Sequence, residues 1–224
     1  MEQDQKRHDR MRIFFEQLWR KGDPWSLETS QFEHSKYARQ IELVADKRLD
    51  RVLEIGCGAG AFTALLAQQA DRLIAIDISP AAISIAKRRL GPLTSVEFRE
   101  ANIMEEHISS LGSWDLIVMS ETIYYLGWLY PFFDVAWLAS ELFHSTRDNG
   151  LFLMANTYGE FGDQLVRPWV IRTYRDLFVN VGYRIAHEET FQGSKDGVKL
   201  DVLMSLFRKE QSGVSDLLLG ESAI

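Results

Sequence analysis

The sequence predicts an α/β fold: a seven-stranded mixed sheet with helices on both faces, its last strand antiparallel, preceded by a helical lid. Three features of the 224 residues carry this expectation. From residue 51 onward, short apolar segments of strand length alternate with helical patterns, the βαβ order that gives a parallel sheet with right-handed crossovers. Val52-Leu-Glu-Ile55 runs straight into glycines at 56, 58 and 60, a strand feeding a tight turn and then a helix. Finally, Tyr183 to Phe191 and Leu200 to Phe207 read as strands joined through Gly193 to Gly197, a turn too short for a parallel crossover.

Taken in order, residues 4 to 21 carry Met11, Phe14, Phe15 and Leu18 at helical spacing among charges, an amphipathic helix stopped by Gly22-Asp-Pro24. Phe14 and Leu18 are expected to pack on the main domain. Ser30-Gln-Phe-Glu33 has capping-box spacing before a helical pattern from Phe32 to Ala45. That segment is either a lid, with Trp25, Phe32, Lys36 and Tyr37 over a ligand, or a helix docked on the sheet. A helix follows from Ala61 to Gln69, then strands at Arg72 to Asp77 and Ser95 to Ala101, with Pro80 opening the helix between them. The fourth strand is Trp114 to Met119. Trp128 to His144 reads as one long helix, closed by Arg147-Asp-Asn-Gly150 before a fifth strand, Leu151 to Asn156. Residues 157 to 169 are the most loop-like part of the core and are expected in the acceptor pocket, since loops at strand ends usually carry specificity. A helix from Ile171 to Val181 ends at Gly182. The expected division is 1–46 lid, 47–209 core and 210–224 a loosely held tail.

Composition narrows the function. With 46% hydrophobic and 25% charged residues the chain can bury a sizeable core. Its net charge of −7, without a dense basic stripe, argues against a nucleic-acid partner. Cys57 is the only cysteine, which leaves no intrachain disulfide and suits a cytoplasmic setting. No apolar run approaches the roughly 20 residues of a membrane span, so a soluble monomer or homodimer acting on a small molecule is expected. No His/Asp/Glu cluster has metal spacing, and of the five histidines only His34, beside the lid segment, is kept in reserve as a base.

The glycine turn suits a nucleotide-like ligand, since it leaves no Cβ over the backbone and opens a helix with unpaired N–H groups. Gly56-x-Gly58-x-x-Ala61, with Asp77 21 residues after Gly56, also satisfies the dinucleotide fingerprint. Glu54 tips the balance. Alternation along the strand puts its carboxylate near the ligand crevice, where it would repel a pyrophosphate and suit a cation. S-adenosyl-L-methionine carries an ammonium and a sulfonium and no phosphate. Asp77, ending the second strand, can accept from both ribose hydroxyls, while Ser79 is better placed to cap the next helix. Cys57, Gly58, Ile78 and Ser120 are expected along the same cofactor. Methyl transfer from a sulfonium is an in-line displacement that mainly requires positioning and exclusion of water. Glu121 and Tyr124 are the candidates for handling the acceptor: Glu121 as an ammonium holder and base, or as a buried carboxylate paired with Lys36 or an arginine; Tyr124 and Tyr125 as cavity walls or plain core.

Glu54-Ile-Gly56-Cys57-Gly58-Ala-Gly60 resembles the first motif of the class I S-adenosylmethionine-dependent methyltransferases, as the terminal antiparallel pair resembles their sheet. Asp23-Pro24-Trp25, Glu33-x-x-Lys36-Tyr37-Ala38 and Ser120-Glu121-x-x-Tyr124-Tyr125-Leu126 resemble the nodulation protein S (NodS) family, over residues 20 to about 207. The resemblance implies a Rossmann-like core and S-adenosyl-L-methionine as cofactor, with S-adenosyl-L-homocysteine as product. It implies that Trp25, Tyr37, Glu54, Gly56, Asp77, Asn102 and Glu121 line the cleft, with Asn102 on the adenine amino group and Ala101 and Ile103 flanking the ring. Asn102 could equally be a turn residue. The NodS family methylates an amine of a deacetylated chito-oligosaccharide, so N-methylation of a small-molecule amine is the expected function. The aromatics between 124 and 169 make a hydrophobic natural product as plausible an acceptor as a sugar. Transfer to oxygen or carbon is the alternative, and a non-catalytic cofactor-binding module a further one.

Overall fold

The computed structural model describes residues 2–45, 49–159 and 164–211. At its centre is a seven-stranded sheet in the order β3-β2-β1-β4-β5-β7-β6. β1 (Leu49–Ile55), β2 (Ala70–Asp77), β3 (Val96–Glu100) and β4 (Trp114–Ser120) run parallel with β5 (Thr146–Tyr158). β7 (Val198–Arg208) inserts antiparallel between β5 and β6 (Arg184–Lys195), as the short Gly193–Gly197 connection requires. The strand order reverses beside β1, which opens a crevice at the carboxyl ends of β1 and β4.

Strand alternation divides the core between the two faces. Leu53, Ile55, Ile74, Ile76, Ile117, Met119, Phe152 and Met154 join one apolar cluster, together with residues of α1 (Glu2–Trp19) and of the helices that follow β4 and β5. Val52, Leu73, Leu116, Val118, Leu151 and Leu153 join a second, under Tyr37 of α2 (Gln31–Glu42) and Leu66 of α3 (Thr63–Leu66). Helices cover both faces, so the central strands read as continuous apolar runs. Full burial of each such side chain stabilises the fold by about 1.5–3 kcal/mol.

Caps fix where several helices begin. Ser30 Oγ accepts from the Glu33 N–H at 3.4 Å, but Glu33 does not reach back to complete a capping box, its carboxylate being bonded to Lys195 instead. Ser79 caps α4 (Pro80–Leu90) through the Ala82 N–H at 3.2 Å, as its position predicts.

The structure corrects several boundaries. The helix expected from Ala61 to Gln69 shortens to α3, and β2 begins directly at Ala70. After α5 (Ile108–Leu111), the long helix expected from Trp128 to His144 is two, α6 (Ile123–Leu129) and α7 (Phe132–Ser145). Pro131 separates them, since it has no N–H to continue a helix and biases Tyr130 towards extended backbone. Arg147 to Gly150 does not interrupt β5. Asn149 takes φ +60° and its N–H bonds the Lys209 carbonyl at 2.8 Å, so an irregularity in register absorbs these residues. β5 then extends through Tyr158, and Gln164–Val166 is a 3-10 turn leading into α8 (Pro168–Asn180). In α1 the buried face is Met11, Phe15 and Trp19, whereas Phe14 is 39% exposed. The expected tail from 212 onward and the lid–core boundary at 46–48 fall outside the described residues.

Candidate functional site

The carboxyl ends of β1, β2, β3 and β4 open into a cavity of about 480 Å³, roofed by α1, α2 and the segment between them. Of the residues singled out in the sequence, Trp25, Tyr37, Gly56, Cys57, Gly58, Asp77, Ile78, Ala101, Asn102, Ile103, Ser120, Glu121 and Tyr124 all line it. Glu54 does not. It shares a strand face with Val52, is 3% exposed, and its Oε2 has no hydrogen-bond partner among the described residues. Alternation directs the side chain beneath the glycine turn, and the turn's backbone forms the surface instead. Burial pushes the Glu54 carboxyl up to about 8, Asp77 adding to the effect.

The turn itself is held at both ends. The Gly56 and Cys57 N–H groups donate to the Ile76 carbonyl at 2.8 and 3.0 Å. Gly56 has φ +79°, and a Cβ there would collide with Thr122. Gly58 has φ +52°, and a Cβ there would lie 2.8 Å from the Trp19 ring. The second glycine is thus the seat of α1. Asp77 accepts from the Gly58 N–H at 2.8 Å and from the Ser79 N–H at 2.9 Å, joining the turn to the start of α4. Each oxygen keeps acceptor capacity, because one N–H uses only part of it. Burial raises the Asp77 carboxyl to about 6 against the opposing pull of those N–H groups. The Cys57 thiol is buried, and desolvation pushes it well above its usual value, so it is an inert wall.

Asn102 donates from Nδ2 to the Tyr130 hydroxyl at 2.9 Å, while its Oδ1 accepts from the Met104 N–H at 3.2 Å. The turn role holds, and it fixes the amide between Ala101 and Ile103 at the cavity wall.

Several lining residues escaped the sequence reading. α1 contributes Met11, Phe15 and Trp19, an i, i+4, i+8 stripe that was visible in the spacing. Trp19 meets Trp25 edge to face at 5.3 Å between ring centres. Glu16 anchors the helix, its Oε2 accepting from Ser79 Oγ at 2.8 Å and the Ala81 N–H at 2.9 Å at the start of α4. On the far side Thr157, Leu165 and Val166 fall in the 157–169 stretch expected to enter the acceptor pocket, and Lys195 and Leu200, which the sequence did not single out, join them. No local motif marks Lys195 and Leu200, since only the sheet order brings them here.

Glu121 is the most constrained residue of the cavity. It follows β4 with φ +56°, rare for a residue with a Cβ and a mark of backbone held by its surroundings. Oε1 accepts from Lys36 Nζ at 2.9 Å and Thr157 Oγ1 at 2.6 Å. Oε2 accepts from the Tyr124 hydroxyl at 3.1 Å and the Thr157 N–H at 2.9 Å. Burial raises this carboxyl, yet Lys36 and the Thr157 donors outweigh it and hold Glu121 below the usual carboxylate range. The Tyr124 hydroxyl is pushed well above its ordinary value by burial and by Glu121. The paired-carboxylate reading of Glu121 is the one the geometry matches. His34 is exposed on α2 and does not line the cavity, which removes it as a reserve base. Among the described residues, no helix is long and apolar enough to cross a membrane.

The sheet order and the cavity at its reversal define a Rossmann-like methyltransferase fold. The crystal structure of the N-methyltransferase NodS from Bradyrhizobium japonicum with S-adenosyl-L-homocysteine superposes at TM-score 0.76 over 89% of this chain and 98% of that one, at 24% identity. The family model for nodulation protein S (NodS) matches residues 8–129, and the chain belongs to that family. Nodulation protein S of Bradyrhizobium diazoefficiens is 38% identical over 105 residues, 46% of this chain and 49% of the relative. A magnesium-protoporphyrin O-methyltransferase of Rhodobacter capsulatus is 40% identical over 78 residues, 34% of each chain. The chain spans about half the length of the nodulation proteins it matches.

Proposed function

We propose that this chain transfers the methyl group of S-adenosyl-L-methionine to a small-molecule acceptor, an amine in the first instance. One observation carries the reading: a single cavity joins a glycine turn anchored on the Asp77 carboxylate to a polar end built around Glu121. The turn fits the cofactor, because Gly56 and Gly58 both line the cavity and Asp77 retains acceptor capacity for a ribose. The Asp77 carboxylate at that end disfavours a pyrophosphate and favours a cationic ligand.

When bound, S-adenosyl-L-methionine supplies an already activated methyl group on a sulfonium. Asp77 holds the ribose hydroxyls, and Ile78, Ala101 and Ile103 sandwich the adenine, with Asn102 at its edge. Met11, Phe15 and Trp19 of α1 and Trp25 exclude water above the donor. Glu121 and Tyr124 orient the acceptor, and Thr157, Leu165, Val166 and Leu200 wall its pocket. The single buried cysteine suits a reducing compartment, and the cytoplasm is the proposed setting.

Transfer to oxygen is the second reading, favoured by the similarity to an O-methyltransferase over 78 residues. The acceptor walls at 157, 165, 166, 195 and 200 lie beyond the 8–129 match, so the acceptor of the nodulation proteins is not carried over with it.

Titration calorimetry with S-adenosyl-L-homocysteine and with NAD tests the cofactor. Micromolar binding of the former and none of the latter is expected, and the reverse would overturn the reading. A screen of amines and phenols with methyl-labelled donor then separates nitrogen from oxygen transfer.

A further inference from the structure

Charges alternate along the acceptor end of the cavity. Lys195, in the hairpin, donates to Glu33 at 2.7 Å. Glu33 lies 2.6 Å from Lys36, and Lys36 lies 2.9 Å from Glu121. Two ammonium and two carboxylate groups therefore cancel in a space that all four line. Lys36 is only 2% exposed, a burial tolerated for an ammonium when carboxylates compensate it. The remaining groups around Glu121 are Tyr37 from α2, Tyr124 and Tyr125 from α6, and Thr157 from β5. None of them adds a charge at neutral pH. Glu121 already receives four donors, and a carboxylate so occupied is a poor proton acceptor.

Resting on the reading of this cavity as a methyl-transfer site, we infer that Lys36 determines which acceptors it admits: by cancelling Glu121 it keeps the transfer end electrically neutral, so the acceptor enters as an uncharged amine or hydroxyl rather than as an ammonium. The donor brings one positive charge of its own. A neutral amine forms the N–C bond with its lone pair as the C–S bond breaks, and that electron pair stays on sulfur, giving a neutral thioether. The positive charge passes to nitrogen, and the proton leaves with the product into solvent. An ammonium has no lone pair to attack, and it would set a second cation beside the sulfonium with no uncompensated carboxylate to hold it. Lys36 is a positioning residue here, acting through Glu121.

The test needs no acceptor. S-adenosyl-L-methionine and S-adenosyl-L-homocysteine differ by the methyl group and one positive charge. The ratio of their dissociation constants thus reads the potential at the transfer end and divides out general damage to the fold. Calorimetry compares wild type, Lys36→Met, Lys36→Arg, Glu121→Gln and the double Lys36→Met/Glu121→Gln variant at about pH 9, above the range in which Asp77 and Glu54 titrate. Glu121→Gln is expected to move the ratio about tenfold against the cationic ligand, and Lys36→Met to move it about tenfold in its favour. The double variant returns to the wild-type ratio, and Lys36→Arg keeps it. Single variants that shift the ratio in the same direction, or leave it unchanged, overturn the inference. If Glu121→Gln does not fold, Lys36→Met against Lys36→Arg decides alone, equal ratios being the contrary result. Failure of wild type to bind S-adenosyl-L-homocysteine would instead overturn the cofactor assignment.

Discussion

Asp77 gives one carboxylate oxygen to the Gly58 N–H and the other to the Ser79 N–H, so the glycine turn and the start of α4 share a single anchor. Asp77→Ala removes both bonds together with any bond to a ribose. Charged hydrogen bonds contribute about 1.5–3 kcal/mol each, so affinity for S-adenosyl-L-homocysteine should fall about 100-fold or more by calorimetry. The raised values of Asp77, from 3.8 to about 6, and Glu54, from 4.5 to about 8, fix the sign of a pH effect. Both groups hold protons in the folded chain at pH values where the unfolded chain has released them. Their contribution to stability is therefore fully present at low pH and is lost as pH rises through about 8. The melting temperature of the ligand-free protein, followed by circular dichroism, should drop across that window after other titrations are subtracted with Glu54→Gln. A cationic ligand favours the ionised acids, so affinity for S-adenosyl-L-methionine should rise over the same range, with proton release visible as a buffer-dependent binding enthalpy. The carboxylates were legible in the sequence. Their burial was not, because strand alternation gives a direction and says nothing of what lies over it.

At the scale of elements, two of the contacts that hold α1 lie beside the glycine turn: Glu16 at the start of α4, and Trp19 on the backbone of Gly58. Gly58→Ala would force the Trp19 ring away and strain a positive φ, and Trp19→Ala would empty the same contact. Both should speed release of S-adenosyl-L-homocysteine in stopped-flow displacement by tenfold or more, Trp19→Ala leaving the β-sheet signal unchanged. Gly127 in α6 offers a different check. Alanine normally stabilises a helix interior by about 1 kcal/mol over glycine. Here its Cβ would overlap the Tyr174 hydroxyl and lie 2.6 Å from a ring carbon of a residue only 8% exposed. Gly127→Ala should therefore destabilise the fold by about 1–3 kcal/mol in urea unfolding. The sequence marks these helices unevenly. Met11, Phe15 and Trp19 stand in plain periodicity, and Pro131 was a readable stop inside an apolar run. The contact of Tyr174 with Gly127 depends on how α6 and α8 pack, which no single segment encodes.

Across the whole molecule, the alternating strands, the glycine turn and the short terminal hairpin were enough to anticipate seven strands with one antiparallel, because each is a local signal and the connection rules are few. The end of the cavity at the glycine turn was legible for the same reason: its residues follow strand ends in sequence order. The opposite end was legible only in part: the loop after Asn156 was expected there, as were Glu121 and Tyr124, but Lys195 and Leu200 come from the last two strands and carry no motif, and only the insertion of β7 between β5 and β6 brings them opposite Glu33 and Lys36. Hydrogen exchange should report this union. S-adenosyl-L-homocysteine is expected to slow exchange in α1, α2 and the β6–β7 hairpin together, and protection confined to residues 55–58 and 77–79 would contradict it.

Lys195 also donates to the Trp25 carbonyl, a bond spanning 170 residues of chain, besides its bond to Glu33. On the ribosome, β1 through β4 emerge long before the hairpin does, and the apolar face of α2 that Phe32 presents has Val202 and Met204 still to come. The nascent chain can build its sheet from the centre outward, but it cannot close this cavity until translation has passed residue 195. The cavity's wall is thus completed by the two ends of the chain after its floor is in place.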